Sequence, residues 1–393
     1  MRVFLDHSIR IPFCALAIVY LGTIATVARA ETPSTQTPQG ATQAPAARDR
    51  TGEEIYRVAC AACHGPDGKG QPPSVLGFEP PDSFPDFTDC AVGSPENDYI
   101  WLAVVHLGGR ARAESHIMPA FGDILTDAEI DRVVQHLHSL CAEPGWPRGN
   151  LNFPRAFVTE KAFPENEVIF TINTTPRSPS GIENRIDYEH RIGRRGQYEI
   201  GVPFVLQQGG GGDWARGLGD INLSYRHAFF DSDRLGSIAA AGGEVTLPTG
   251  KETEGLGGGV TIFETFAMFD QALPRDSFVQ FHVGFERPAD HDVAANAAYW
   301  RTAIGTTFKQ NRWGRTWTPM VEILGDKELD NGAQAAWDIA PELQVSLSTF
   351  QHVLLGVGYQ IPVNQRDTRG GTFRVYFLWD WFDGPLFSMW KAH

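Results

Sequence analysis

The sequence predicts a multidomain chain: a small all-α domain, followed by an all-β region that closes as an antiparallel barrel of about twelve strands and of the outer-membrane type. Three observations lead there. Between residues 51 and 141 apolar residues recur at helical spacing. From about residue 166 onward they alternate with polar residues. Connections in that second region switch regularly between short and long. A length of 393 residues already favours more than one domain. A formal net charge of −14 argues against a nucleic-acid partner, which would want a basic patch.

Residues 1–30 read as a signal peptide. Arg2 and Arg10 supply positive charge, Phe13 to Val27 is an apolar run, and Ala28-Arg29-Ala30 offers a small-x-small cleavage pattern. The run is short of the roughly 20 residues a spanning helix needs. Cys14 lies inside this segment and is discarded with it. Residues 31–50, rich in Pro, Thr, Gln and Ala without apolar period, read as a flexible linker.

The helical stretch opens with Thr51-Gly-Glu-Glu54, a capping box in which Thr51 caps the start and Glu54 reaches back. The helix it begins, Glu53 to Ala62, delivers Cys60-Ala-Ala-Cys63-His64. Two thiols about one helical turn apart can add to the two vinyl groups of one haem, and the adjacent imidazole then lies under the iron. A zinc site would need further ligands at metal spacing, and a redox C-x-x-C would sit near a βαβ pattern; neither is present. The expected cofactor is one covalent haem c. For the sixth iron ligand, Met118 stands in His116-Ile-Met-Pro-Ala-Phe121, where Pro119 holds the backbone extended or turned. The rivals are His106, His116, His136 and His138; of these His136 and His138 fall on a helix, as His106 should, and His116 is the competitor. A second capping box, Thr126-Asp-Ala-Glu129, opens a closing helix whose apolar face is Ile130, Val133, Val134, Leu137 and Leu140. Cys90 and Cys141 remain as an even pair, a possible disulfide in an oxidising compartment or two buried free thiols.

Residues 51–141 resemble a class I monohaem cytochrome c on Gly52, Tyr56, the Cys60–His64 motif with Gly65, and the Met118-Pro119 loop ahead of a last helix. The resemblance implies a haem domain with His/Met-ligated low-spin iron and outer-sphere electron transfer. Met ligation would raise the potential above that of a bis-His haem. Arg110 and Arg112 stand as candidates to neutralise propionates, or as solvated surface charge.

Residues 142–165, rich in Pro and Gly, read as an ordered or semi-extended connector, and 166–393 as the barrel. Expected strands are 167–174, 182–191, 197–207, 217–230, 235–247 and 259–269, then 278–286, 299–309, 313–324, 337–346, 352–361 and 372–381. In the second, Ile186 and Tyr188 alternate with Arg185, Asp187 and Glu189; Val279, Phe281, Val283 and Phe285 alternate with Gln280, His282 and Glu286. One face suits lipid, the other a polar lumen carrying charges of both signs. Short turns fall at 192–196, 231–234, 273–275, 310–312 and 347–351, and long loops between them. An even strand number then puts both barrel ends on the short-turn side, the periplasmic side in outer-membrane barrels. Trp300, Trp313, Trp317, Trp379, Trp381 and Phe382 are candidates for an interfacial girdle. Gly217-Leu-Gly-Asp-Ile221, with the strand pattern, resembles transporter-like outer-membrane barrels of the kind linked to aromatic-compound degradation; a fused cytochrome departs from that family, so no substrate is carried over.

The function these features imply is electron transfer by a periplasmic cytochrome domain tethered to an outer-membrane barrel, with periplasmic redox proteins and outer-membrane lipid as partners. Two other classes stay open: a solute channel whose cytochrome serves sensing or docking, and the electron-accepting part of a periplasmic dehydrogenase. No catalytic constellation stands out. Were the second half a sandwich instead, the protein would be soluble and periplasmic.

Overall fold

The computed structural model describes residues 50–380 apart from 82–83, 113–115, 177–179, 210–211 and 348–351. The expected signal peptide, residues 31–49 of the linker, Trp381 and Phe382 lie outside the described residues.

The first part is helical: α1 (Gly52–Ala59), α2 (Ala61–His64), α3 (Pro73–Leu76), α4 (Cys90–Gly93), α5 (Asp98–Leu107) and α6 (Asp127–Leu140). Both capping boxes form. The Glu54 amide donates to Thr51 Oγ1 at 3.2 Å and the Thr51 amide to Glu54 Oε2 at 2.8 Å; the Thr126–Glu129 pair repeats this at 3.3 and 3.0 Å. Such caps satisfy amides that a helix start otherwise leaves without partners. Ile55 and Tyr56 of α1 bury against Ile130, Val133, Val134 and Leu137 of α6, the face expected from the spacing. Gly52 permits the crossing, since a Cβ there would lie 2.0 Å from the Arg132 carbonyl oxygen. The expected single helix Glu53–Ala62 is instead broken at Cys60, where α1 ends and α2 begins.

Twelve strands form the second part: β1 (Glu167–Thr175), β2 (Gly181–Ile192), β3 (Gly196–Gln208), β4 (Ile221–Ser232), β5 (Ser237–Leu247), β6 (Ile262–Leu273), β7 (Ser277–Pro288), β8 (Ala297–Thr306), β9 (Thr316–Glu328), β10 (Ala336–Ser346), β11 (Val353–Pro362) and β12 (Thr372–Asp380). Two short pieces, Trp214–Leu218 and Phe308–Lys309, extend the ladders of β3 and β9. Each strand pairs antiparallel with its sequence neighbours, and β12 returns to β1 with Glu167 opposite Asp380, so the sheet closes on itself and no edge is left.

Alternation along the strands sorts the two faces. Phe281, Val283, Phe285, Val321 and Ile323 point outward and are exposed, while Gln280, His282 and Glu322 between them are 0–2% exposed. A closed barrel with an apolar outer belt is a form whose every backbone polar group is satisfied inside hydrocarbon, and the chain is an outer-membrane protein on this ground. No helix among the described residues is long and apolar enough to cross a membrane. Trp317 and Trp379 lie outward near the short-turn end, and Trp300 packs edge-on against Trp337, centroids 4.9 Å apart, near the long-loop end. Trp313 is no part of a girdle. It sits on the 310–315 turn, its ring 5.5 Å from Tyr99 and 5.4 Å from His106 of the helical part.

The connector, whose path the sequence left open, runs into the lumen. Phe153 packs on Phe278, and Phe157 on Tyr376. Leu151, Phe153, Ala162 and Phe163 share one buried cluster with wall residues including Met268 and Met320. The lumen carries charges of both signs, as expected, but its turn half also carries an apolar patch.

Candidate functional site

Cys60, Cys63, His64 and Met118 line a single cleft of about 280 Å³ in the helical part. The cysteines and His64 arrive on the α1–α2 junction, where the His64 amide donates to the Cys60 carbonyl at 2.9 Å. The chain after the motif folds back, with Gly70 and Gln71 amides donating to His64 and Cys63 carbonyls, both at 2.8 Å. Tyr56 fastens this turn, its hydroxyl donating to the Gly65 carbonyl at 2.7 Å. Burial pushes that phenol up to about 12. The opposite wall is the Met118 loop, pinned to the end of α5 by amide donation from Phe121 to the Val105 carbonyl (3.1 Å) and from Gly109 to the Met118 carbonyl (3.3 Å). Phe84, Phe87, Trp101, Ile117 and Val133 complete an apolar surround.

Burial pushes the Cys60 thiol up to about 11 and the His64 imidazole down to about 4, so thiol and neutral ring are the forms held at pH 7. His64 stacks on Phe84, centroids 4.8 Å apart, and its Nδ1 is buried with no hydrogen-bond partner among the described residues. Both cysteines of the motif are free of a disulfide.

The four rival histidines stand elsewhere. His106 lies beside Trp313, and its Nε2 is 3.9 Å from Asp127. His116 is exposed on the loop. The His136 ring packs on Tyr56, and His138 turns to Trp101 and Asp98. None is among the residues lining the cleft. Arg110 is exposed. Cys90, at the start of α4, and Cys141, just past α6, are joined, their Cα atoms 5.1 Å apart and 51 residues apart in sequence. Serine at both positions is expected to cost about 4 kcal/mol through loop-closure entropy, measurable as a lower urea midpoint of the helical part at unchanged haem content.

Asp98 ties the helical part together. Its carboxylate lies 2.8 Å from His138 Nε2 and 2.9 Å from Arg148 Nη2. Burial alone would raise its pKa, but the His138, Asn150 and Arg148 interactions outweigh that and hold it well below its ordinary 3.8. A depressed carboxylate stabilises the fold above its unfolded value and loses that contribution as pH falls through the folded one. Asp98→Asn is therefore expected to lower the melting temperature at pH 7, and the two proteins should converge as pH is taken from about 4 toward 2.

The helical part is docked on the short-turn rim of the barrel. Arg194 and Arg195, on the turn after β2, donate to the Pro144 and Gly145 carbonyls at 2.9 and 2.8 Å. Asn150 reaches Asp233 at 3.4 Å on the next turn. Arg312 lies 2.6 Å from Asp127, and the Tyr99 hydroxyl donates to the Gly314 carbonyl at 3.3 Å. Below β11, His352 Nε2 is 3.7 Å from Glu96, which also lines the cleft.

Fold and site together define a cytochrome c domain joined to an outer-membrane barrel. Residues 47–137 match the family model described as cytochrome c oxidase, cbb3-type, subunit III. No curated protein sequence matches the chain. Among solved structures, an outer-membrane channel from Pseudomonas putida F1 is similar at TM-score 0.41 and 12% identity, covering 58% of this chain and 99% of its own. The NanC porin gives 0.39 and 11%, covering 55% and 99%, and the KdgM porin 0.35 and 9%, with the same coverages. A cytochrome c domain implies a haem cofactor, and the cleft fits one. It offers two free thiols, a neutral imidazole with an unpartnered nitrogen and a thioether, a donor set suited to haem iron, inside walls apolar enough for the macrocycle.

Sequence reasoning missed the lumenal role of the connector. The signal was there: Phe153, Phe157 and Phe163 call for burial, and Arg155 and Lys161 sit just ahead of Glu165 and Glu167.

Proposed function

We propose that this protein is a barrel-anchored electron carrier. Residues 51–141 form the haem domain, 142–165 the connector and 166–393 the barrel. One haem c is attached by thioether bonds to Cys60 and Cys63, and His64 and Met118 are the axial ligands of its iron. Bound there, the group takes up and releases one electron at a time. The chain's own residues place the two ligand loops on one cleft and exclude water from it with Phe87, Trp101 and Val133. Short turns face the periplasm in outer-membrane barrels, and the haem domain sits on that rim, so its exchange partners are periplasmic redox proteins.

The observation that carries this reading is the convergence of Cys60, Cys63, His64 and Met118 on one apolar cleft. Both the dehydrogenase reading and the channel reading ask for something more: an open iron position or a conducting lumen. Outer-membrane fractions should contain a haem-staining band extractable only with detergent, and the purified protein should exchange electrons with a soluble c-type carrier on mixing. A freely soluble band, or a haem that a carrier does not oxidise, would overturn the proposal.

A further inference from the structure

We infer that residues 151–165 close the barrel to solutes. The inference goes beyond the electron-carrier reading and does not depend on the haem. Eight strands give an interior that side chains fill, whereas sixteen or more leave an aqueous channel; twelve lie between, with interior space that water or a chain segment can take. Here that occupant is the connector, and the wall is built to hold its backbone. Glu322 accepts from the Val158 and Thr159 amides at 3.1 and 2.6 Å. Glu342, Asp270 and Gln197 accept from the Phe157, Ala162 and Glu165 amides at 3.2, 2.7 and 2.6 Å.

Arginines grip the carbonyls in turn. Arg301 donates to Val158 at 3.2 Å and Arg191 to Pro164 at 2.8 Å. A segment with no strand neighbour thus has five of its amides and two of its carbonyls met by wall side chains, as burial of backbone polar groups requires. Arg155 balances Glu167 and Glu189, 2.9 and 2.6 Å away. Phe157 occupies the space left by the absent side chain of lumen-facing Gly358, where a Cβ would come within 2.8 Å of its ring.

The apolar contacts decide between a resting plug and a passing one. Met268, Phe278 and Met320 face inward and are 2–3% exposed because Phe153 and Phe163 cover them. A water-filled lumen would wet that patch, which favours the closed form as the resting state.

The test is conductance in planar bilayers with the full-length protein. The intact protein is expected to show no resolved steps. A full-length variant with residues 156–164 replaced by an equal number of Gly and Ser keeps the tether and removes the occupant; it is expected to show steps in every recording once heat-modifiable mobility confirms the barrel. If that variant does not fold, Glu322→Ala with Asp270→Ala replaces it under the same expectation. Steady steps from the intact protein, or silence from a folded variant, overturns the inference.

Discussion

Serine at both Cys60 and Cys63 is expected to leave the protein without stably bound haem. On the proposed attachment each thioether would tie the macrocycle to the α1–α2 junction, and without them only the two proposed axial bonds and apolar packing would retain it. The haem-staining band on a denaturing gel should vanish, and bound haem per chain in the purified protein should fall to a small fraction. Barrel assembly should persist, because β1 to β12 begin at Glu167 and share no element with the motif. Detergent extraction and heat-modifiable mobility of the variant check this. Full haem stain in the doubly substituted protein would mean that the attachment lies elsewhere.

Removing the thioether of Met118 is expected to have the second large effect, on the iron rather than on its attachment. Met118→Ala leaves the cleft wall without its sulfur, while the Phe121–Val105 and Gly109–Met118 backbone bonds that fix the loop do not involve the side chain. The loop should hold its place and the iron should lose its sixth ligand. The reduced variant is then expected to bind carbon monoxide readily, and the oxidised variant to lose its long-wavelength methionine–iron absorption. The midpoint potential should fall by at least about 0.1 V, within the roughly 0.8 V that axial ligands span. An unchanged potential, with carbon monoxide still excluded, would assign the sixth position to another residue, and His116 on the same loop would be the first to test.

Much of this was legible in the sequence because local chemistry spelled it out. Both capping boxes lie within four-residue windows, and the α6 face repeats at helical spacing, so neither depends on distant contacts. Strand limits came within a few residues because alternation and turn residues agree. The exception, expected strand 217–230, breaks at Gly219-Asp220, where Asp220 accepts from the Gly250 and Gly258 amides of the long loop. Closure of the barrel followed from strand parity, and the cleft from the Cys60–His64 motif together with the Met118-Pro119 loop.

What the sequence could not show was long-range. The backbone grip on residues 157–165 comes from Gln197, Asp270, Glu322 and Glu342, some 32 to 185 positions away. A lumenal carboxylate reads the same in sequence whether it faces water or an amide. Trp313 was misread for the same reason. An aromatic near a strand end suits a lipid interface and a domain interface equally, and Tyr99 and His106 decide between them.

The central claim is a one-sided electron carrier held on a closed barrel. Proteoliposomes carrying the full-length protein in one known orientation, given a membrane-impermeant reductant on one side only, test it most directly. Reductant on the haem-domain side should reduce the whole haem population promptly. Reductant on the long-loop side should reduce none on that timescale, because the connector, as inferred, closes the lumen and about 30 Å of hydrocarbon separates the two surfaces. Equal reduction from both sides would contradict the account.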